Sequence, residues 1–172
     1  MHVIDCDLAH APAILAILND AIVASTALYD YRPRTPAMMD AWFEAKRKGN
    51  YPVIGVTGDA GELMGFASYG SFRAWPAYKY TVEHSLYVAQ PFRGRGLGKL
   101  LLQQIIARAR AQQYHVLVGA IDSANAVSIG LHQTLGFQHV GTLPQVGFKF
   151  GRWLDLALYQ LVLDTPAAPT DR

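Results

Sequence analysis

A glycine-rich turn at residues 93–99 connects a predicted strand to a predicted amphipathic helix. The turn has glycine at three alternate positions, so its backbone can bend tightly and approach a ligand without interference from a Cβ atom. The first N–H groups of the following helix have no partner within the helix and lie at its positive dipole end. With the cations Arg93, Arg95 and Lys99 beside them, these groups predict an anion site suited to a phosphate.

The spacing of the turn argues against the two common phosphate-binding motifs. A P-loop needs glycine at position 93 and serine or threonine at position 100, where this chain has Arg93 and Leu100. A dinucleotide fingerprint that starts at Gly94 needs glycine or alanine at position 99, which is Lys99. A plain loop that caps a helix is the remaining alternative, and three cations within seven residues favour anion binding over it.

The length and composition predict one globular domain. The chain has 172 residues, of which 51% are hydrophobic and 16% charged, and we expect the domain to span residues 1–163. Residues 164–172 have too little apolar surface to pack firmly, so they are predicted to form a flexible tail. The net charge of +2, without a basic run, gives no indication of nucleic-acid binding.

The sequence also argues against several classes of protein. Cys6 is the only cysteine, which excludes a disulfide framework and a cysteine-based metal site, and no other metal site is predicted. No apolar run approaches the roughly 18 residues that a membrane span needs. The N-terminus lacks the basic start of a signal peptide. We therefore expect a soluble, cytoplasmic protein.

Hydrophobic periodicity predicts a chain of alternating strands and helices. The predicted helices cover residues 11–22, 36–49, 96–112 and 125–135, with Thr35 as the cap of the second helix. The predicted strands cover residues 2–6, 52–57, 63–69, 80–89, 116–121, 137–146 and 153–163. Helices between strands imply parallel pairing and hairpins imply antiparallel pairing, so the sequence predicts an α/β fold with a mixed sheet.

Two side chains are candidates for proton transfer. Alternation along the strand at residues 80–88 places Glu83, Ser85 and Tyr87 on one face. Glu83 is either a general base, whose pKa partial burial would raise, or a charge that faces water or pairs with a cation. His132 lies on a predicted helix between two leucines, a pattern more typical of a packed residue than of a catalytic one.

The connector at residues 70–79 combines aromatic side chains with one arginine. It is either a loop packed on the core or a small aromatic cup in which Arg73 binds a carboxylate through two hydrogen bonds. Tyr29 and Asp30, in an irregular early segment, could form another wall of that cup.

Two motifs give the chain a family resemblance. Arg93-Gly-Arg-Gly96-Leu-Gly98 resembles the pyrophosphate-binding signature Arg/Gln-x-x-Gly-x-Gly/Ala of the GCN5-related N-acetyltransferase (GNAT) family. Residues 125–137 are similar to the second signature of that family. Residues 81–88, His132, residues 147–155 and residues 25–36 resemble the branch that contains phosphinothricin and methionine sulfoximine acetyltransferases.

The resemblance implies a fold, a cofactor and a set of roles. It implies a mostly antiparallel, twisted mixed sheet of about seven strands, flanked by about four helices. It implies acetyl-coenzyme A (acetyl-CoA) as cofactor, Glu83 as general base and His132 as acid or second proton-transfer group. The Val88 N–H is expected near the thioester oxygen. The residues expected to bind the coenzyme are Leu86, Tyr87, Val88, Arg93, Gly94, Arg95, Gly96, Leu97, Gly98, Lys99, Asn125 and Ser128.

The resemblance further implies a small amino-acid analogue as acceptor, of the methionine sulfoximine, methionine sulfone or phosphinothricin type. The residues expected to bind it are Tyr29, Arg73, Trp75, Tyr78 and Ser85. A homodimer is expected, with Phe148, Lys149 and Arg152 near its interface. No cysteine lies in the motifs, so we expect direct attack of the amine. The alternatives are acetylation of a protein N-terminus or lysine, and a non-catalytic coenzyme A sensor.

Overall fold

Strands and helices alternate in the computed structural model, which describes residues 1–171; Arg172, the end of the predicted tail, lies outside the described residues. The helices are α1 (Ala11–Ala24), α2 (Pro36–Lys48), α3 (Leu97–Ala111) and α4 (Ala126–Thr134). The strands are β1 (His2–Asp5), β2 (Val53–Thr57), β3 (Leu63–Ser71), β4 (Thr81–Val88), β5 (Val116–Asp122), β6 (Gln138–Lys149) and β7 (Arg152–Val162). All of them were predicted, with ends that differ by no more than three residues.

The strands form one mixed sheet in the order β1-β2-β3-β4-β5-β7-β6. The β1–β2, β2–β3, β5–β7 and β6–β7 pairs are antiparallel. The β4–β5 pair is parallel and joins Thr81–Glu83 to Val116–Val118, with α3 as the crossover between the two strands. The predicted α/β fold with a mixed, mostly antiparallel sheet is therefore confirmed.

Some local details differ from the sequence-based expectation. Thr35 occupies the N-cap position of α2, but its side chain forms no capping hydrogen bond. Three short 3₁₀ helices were not predicted, at Leu8–His10, Pro76–Tyr78 and Gln90–Phe92. The second of these lies in the predicted irregular connector, where Pro76 fixes a backbone angle suited to a helical turn.

The chain divides into two compact units, of which the first combines Met1–Ser68 with Ser85–Leu102. Its core joins α1 and α2 to the sheet through fully buried Ile14, Leu18, Met39 and Phe66. The side chain of Asn19 donates to the Arg34 carbonyl at 3.0 Å and accepts from the Arg34 N–H at 2.7 Å. This pair of hydrogen bonds attaches the segment between α1 and α2 to α1.

The second unit combines Tyr69–His84 with the residues from Gln103 onward. Ile105 and Ala109 of α3 are buried in this unit, as are Leu117 of β5 and Tyr159 of β7. The tail contributes hydrogen bonds here, since the Tyr80 hydroxyl lies 3.2 Å from the Thr170 carbonyl and 3.1 Å from its N–H.

The single domain over residues 1–163 and the flexibility of the tail stay predictions. In residues 1–171, no helix is long and apolar enough to cross a membrane.

Candidate active site

The glycine-rich turn adopts a conformation that favours glycine. Gly94 and Gly96 have φ angles of +76° and +78°, in the left-handed region, and a Cβ atom at either position would meet nothing within 4 Å. The turn therefore uses glycine for its backbone conformation and not for lack of space. α3 begins within the glycine-rich segment, directly after Gly96, at Leu97, whose buried side chain anchors the first helical turn in the core.

The cations of the turn surround this helix start. The Arg93 Nε donates to the Val88 carbonyl at 3.1 Å, and the Arg95 guanidinium lies 5.3 Å from the ring centroid of Phe92. Arg93, Arg95 and Lys99 are exposed, and the first turn of α3 contains no acidic residue. The site combines open space above two glycines with exposed cations and with the first N–H groups of a helix. This combination fits a pyrophosphate group.

The C-terminal part of β4 lies close to β3. The Tyr87 ring stacks at a tilt on Phe66, with centroids 5.5 Å apart, and the Ala89 N–H donates to the Met64 carbonyl at 2.9 Å. A Cβ atom at Gly65 would lie 2.9 Å from the Tyr87 carbonyl oxygen, so glycine is what permits this approach. Sequence reasoning missed Gly65, although an isolated glycine within a strand pattern is a signal of close backbone approach.

Glu83 and Arg73 carry opposite charges in the second unit, and the charge of Arg73 acts on the Glu83 carboxylate. Glu83 lies on the exposed face of β4, between the buried residues Val82 and His84. Partial desolvation raises the pKa of Glu83 above 4.5, and the positive charge of Arg73 opposes that rise. Arg73 forms no salt bridge within 4.0 Å in the described part of the chain, so its guanidinium can bind an anionic ligand.

Aromatic side chains surround Arg73 only in part. Its guanidinium lies 5.1 Å from the ring centroid of Phe72, which contacts Tyr78 edge-to-face at 5.6 Å. Trp75 is 72% exposed, and no ring contact to it is found within residues 1–171. The structure therefore brings together Arg73, Phe72 and Tyr78, whereas the Trp75 ring is exposed and the Trp75 carbonyl accepts from the Tyr78 N–H at 3.0 Å. The role of Trp75 in the cup stays a prediction.

The other predicted acceptor residues lie in the first unit. Ser85 is exposed on β4. Tyr29 precedes Asp30, whose carboxylate accepts from Arg34 Nε at 2.9 Å and forms a salt bridge with its Nη2 at 2.8 Å. Together with the hydrogen bonds between Asn19 and Arg34, this salt bridge orders the segment that carries Tyr29.

His132 is buried and paired with a second histidine that sequence reasoning did not single out. The Nε2 atoms of His84 and His132 lie 2.9 Å apart, and their rings stack with centroids 5.1 Å apart. The Nδ1 of His132 lies 2.7 Å from the Ser128 carbonyl oxygen. Phe137 contacts both rings, at 5.2 and 5.0 Å between centroids.

Both imidazoles favour the neutral form. Burial lowers the pKa of His84 from 6.5 to about 3, and His132 acts in the same direction while the Val118 backbone opposes it. Burial also lowers the pKa of His132, against an opposing hydrogen bond to the Ser128 backbone. The Nδ1 of His84 is buried and has no hydrogen-bond partner of acceptable geometry in residues 1–171.

Gly119 provides the space for this histidine pair. A Cβ atom there would lie 3.1 Å from Cε1 of His84 and 3.2 Å from Cδ2 and Nε2 of His132. The sequence signal was again a glycine inside a mostly apolar strand.

Asn125 and Ser128 have defined structural roles at the start of α4. The Oδ1 of Asn125 accepts from the Ser128 N–H at 3.1 Å, which caps the helix. The Ser128 carbonyl accepts from His132, four residues later. The predicted contact of both residues with a coenzyme stays a prediction.

The hairpin between β6 and β7 carries the residues expected at a dimer interface. Phe148 packs edge-to-face on Trp153 at 5.0 Å, and both side chains are exposed. Lys149 is buried, and Arg152 Nη2 lies 4.0 Å from the buried Asp122 carboxylate.

Within residues 1–171, no group of three or more His, Cys, Asp or Glu side chains is arranged to hold a metal ion.

Comparison with known proteins places the chain in a family. The model of the acetyltransferase (GNAT) family matches residues 13–137. An L-methionine sulfoximine/L-methionine sulfone acetyltransferase from Pseudomonas paraeruginosa is 52% identical over 166 residues, which cover 96% of each chain. The chain therefore belongs to the acetyltransferase (GNAT) family, and it is an N-acetyltransferase.

Solved structures agree with this assignment. A structure from Acinetobacter baylyi superposes with a TM-score of 0.98 at 57% identity, covering 99% of this chain and 96% of that one. A GNAT superfamily phosphinothricin acetyltransferase from Sinorhizobium meliloti, solved in complex with acetyl-CoA, has a TM-score of 0.94 at 32% identity. That match covers 98% of this chain and 91% of the other. The predicted family and fold are confirmed.

Proposed function

We propose that this chain transfers the acetyl group of acetyl-CoA to the α-amine of a small amino-acid analogue. The acceptor is of the methionine sulfoximine, methionine sulfone or phosphinothricin type. Relatives that match nearly the whole length of this chain are named for these compounds. Bound acetyl-CoA supplies an activated thioester, which the amine attacks directly without an acetylated enzyme.

The observations that carry the proposal are the partly desolvated carboxylate of Glu83 and the exposed guanidinium of Arg73, whose charge acts on that carboxylate. An amine acceptor reaches the enzyme as an ammonium ion and must lose a proton, for which a carboxylate with a raised pKa is a suitable base. An α-amino acid also carries a carboxylate, and Arg73 offers an exposed guanidinium for it. One residue for each charge of the acceptor favours an amino acid over a simple amine.

The glycine-rich turn supports the coenzyme part of the proposal. In this role Arg93, Arg95, Lys99 and the first N–H groups of α3 hold the pyrophosphate. The backbone of Leu86, Tyr87 and Val88 pairs with the pantetheine arm, and the Val88 N–H stabilises the developing oxyanion.

The remaining sequence-based assignments stay predictions. They are the role of His132, the homodimer, the cytoplasmic location and the coenzyme contacts of Asn125 and Ser128. The neutral state and hydrogen bonds of His132 favour a residue that orients over one that donates a proton.

A free-thiol release assay with acetyl-CoA tests the acceptor class. We expect turnover with methionine sulfoximine, methionine sulfone or phosphinothricin and little with peptides. Thiol release with peptides alone would reverse the choice of acceptor. Coenzyme binding without turnover of any amine would favour a sensor.

The variant Glu83→Gln tests the general base. We expect kcat to fall about 100-fold or more near neutral pH, because the amide cannot accept the proton. Glu62→Gln, in the exposed turn between β2 and β3, is the matched control. A pH–rate profile that is unchanged in Glu83→Gln would remove Glu83 from this role.

A further inference from the structure

The positions of the hydrogen atoms in the His84–His132 pair can be assigned from the Ser128 carbonyl, which lies at one end of the pair. A carbonyl oxygen can only accept, so the Nδ1 of His132, 2.7 Å from the Ser128 oxygen, carries a hydrogen. In a neutral ring the Nε2 of His132 is then bare. It lies 2.9 Å from the Nε2 of His84, which must therefore carry a hydrogen and donate it.

These bonds continue to the cap of α4. The His84 ring donates to His132, the His132 ring donates to the Ser128 carbonyl, and the Ser128 N–H donates to Asn125 Oδ1 at 3.1 Å. The two imidazole donors point the same way, an arrangement in which neighbouring hydrogen bonds polarise and strengthen one another. The Ser128 carbonyl shares its peptide group with the Ile129 N–H, which donates to the Asn125 carbonyl at 3.0 Å and continues the series to the cap residue.

The series leaves His132 without a transferable proton. Its single N–H bond is committed to Ser128, and loss of that hydrogen would create an imidazolate in a buried site. The groups found against the two rings in residues 1–171 include the Phe137 ring, the Val118 backbone and, 3.5 Å from His132 Nδ1, the Ser128 hydroxyl, and none of these is a cation.

We propose that His84 is a positioning residue, which fixes His132 as the Nδ1–H tautomer and thereby holds Asn125 and Ser128 at the start of α4 in place for the coenzyme. This inference rests on the proposed function in one respect, the contact of Asn125 and Ser128 with acetyl-CoA. The tautomer itself is independent of that function. Its consequence is a role for the histidine pair in coenzyme binding and not in acid catalysis.

The tautomer can be measured on the wild-type protein. Long-range ¹H–¹⁵N NMR spectra distinguish a bare ring nitrogen from a protonated one in each histidine, and His84→Gln and His132→Gln assign the two rings. We expect His132 to be protonated at Nδ1 alone and His84 at Nε2 alone at neutral pH. A His132 ring protonated at Nε2 would overturn the proposal.

Two variants of His84 test the consequence for the coenzyme. The amide nitrogen of His84→Gln can occupy the place of Nε2 and keep the donor, whereas His84→Met keeps the bulk and loses the donor. We expect His84→Met to raise the Kd for coenzyme A about tenfold, measured by calorimetry. His84→Gln should restore it to within about threefold. The matched substitutions at exposed His139 control for general effects.

The outcomes separate this inference from the proposed function. Equal coenzyme affinity in His84→Met and the wild type would overturn the inference about His84. The inference would also be overturned if His84→Gln bound coenzyme A no more tightly than His84→Met. A large loss of kcat in His84→Met with unchanged coenzyme affinity would also overturn it in favour of acid catalysis. If no amine is turned over, only the proposed function is contradicted, because coenzyme binding and the tautomer of His132 can still be measured.

Discussion

The Nε of Arg93 donates a hydrogen bond to the carbonyl of Val88 at 3.1 Å, so the first residue of the glycine-rich turn is attached to the last residue of β4. The Arg93 Nη2 also lies 3.8 Å from the Asp20 carboxylate on α1. One side chain thus supports the strand end and offers charge to a pyrophosphate.

Replacing Arg93 by alanine should weaken coenzyme binding. Hydrogen bonds to charged groups contribute about 1.5–3 kcal/mol, so we expect the KM for acetyl-CoA to rise roughly 10- to 100-fold. Arg110→Ala is the control, because Arg110 is an exposed arginine on α3 that pairs with Asp164 at 3.3 Å. Steady-state kinetics with each substrate varied in turn would show whether the KM for acetyl-CoA or the KM for the acceptor has risen. A rise confined to the acceptor KM would contradict the assignment of the turn.

Removing the Arg73 side chain should affect both the acceptor and the general base. Arg73→Ala should raise the acceptor KM about tenfold or more, because a carboxylate loses its charged partner. The charge of Arg73 lowers the pKa of Glu83, so its loss should raise that pKa further. The rising limb of the pH–rate profile should therefore move to higher pH.

Arg73→Lys separates these two effects. It keeps the charge, so the limb should stay near its wild-type position, while the loss of bidentate binding should still raise the acceptor KM. An Arg73→Ala profile displaced to lower pH would show that Arg73 does not act on Glu83.

Glu83→Gln should stabilise the folded protein slightly at neutral pH while it lowers activity. Below pH 4.5 both the folded and unfolded states hold the Glu83 proton. As pH rises past this value the unfolded state releases its proton first, so the raised pKa makes Glu83 a cost to folding at neutral pH. The glutamine variant removes that cost.

Urea unfolding at pH 4 and pH 7 measures this effect. The free energy of unfolding of Glu83→Gln, relative to the wild type, should be greater at pH 7 than at pH 4. The gain should be small because Glu83 is partly exposed, and Glu62→Gln serves to subtract the general effect of the substitution. A variant that loses relative stability as pH rises would mean that the pKa of Glu83 is lowered.

The sequence was sufficient for the elements and for the anion site, because both depend on local patterns. Apolar periodicity predicted α3, and its face of Leu97, Leu101, Ile105 and Ala109 is buried as expected. The turn combined glycines with cations within a few residues, so its chemistry was visible without a fold.

The histidine pair could not be predicted in the same way. His84 and His132 are 48 positions apart, and their contact depends on the register that brings β4 beside β5 and α4. Alternation along the strand only places His84 on the face opposite Glu83. The clue was Gly119, but a glycine in a strand indicates close approach without naming the group that approaches.

Gly119→Ala should therefore damage the fold and the site together. Its Cβ would lie 3.1–3.2 Å from two buried rings, both of which also contact Phe137. Overpacking of this kind typically costs about 1–3 kcal/mol, and we expect a loss of that size in the free energy of unfolding. If the histidine pair positions α4, coenzyme affinity should fall in the fraction that stays folded.

Gly130→Ala is the matched control for Gly119→Ala. Gly130 lies within α4, and a Cβ atom there would meet nothing within 4 Å. Alanine is favoured over glycine in a helix by about 0.5–1 kcal/mol, so this variant should be more stable than the wild type. If urea unfolding shows that Gly119→Ala lowers the free energy of unfolding while Gly130→Ala raises it, the steric constraint lies at the histidine pair. Equal and small effects would mean that β5 relaxes around the new side chain and that the pair is not tightly held.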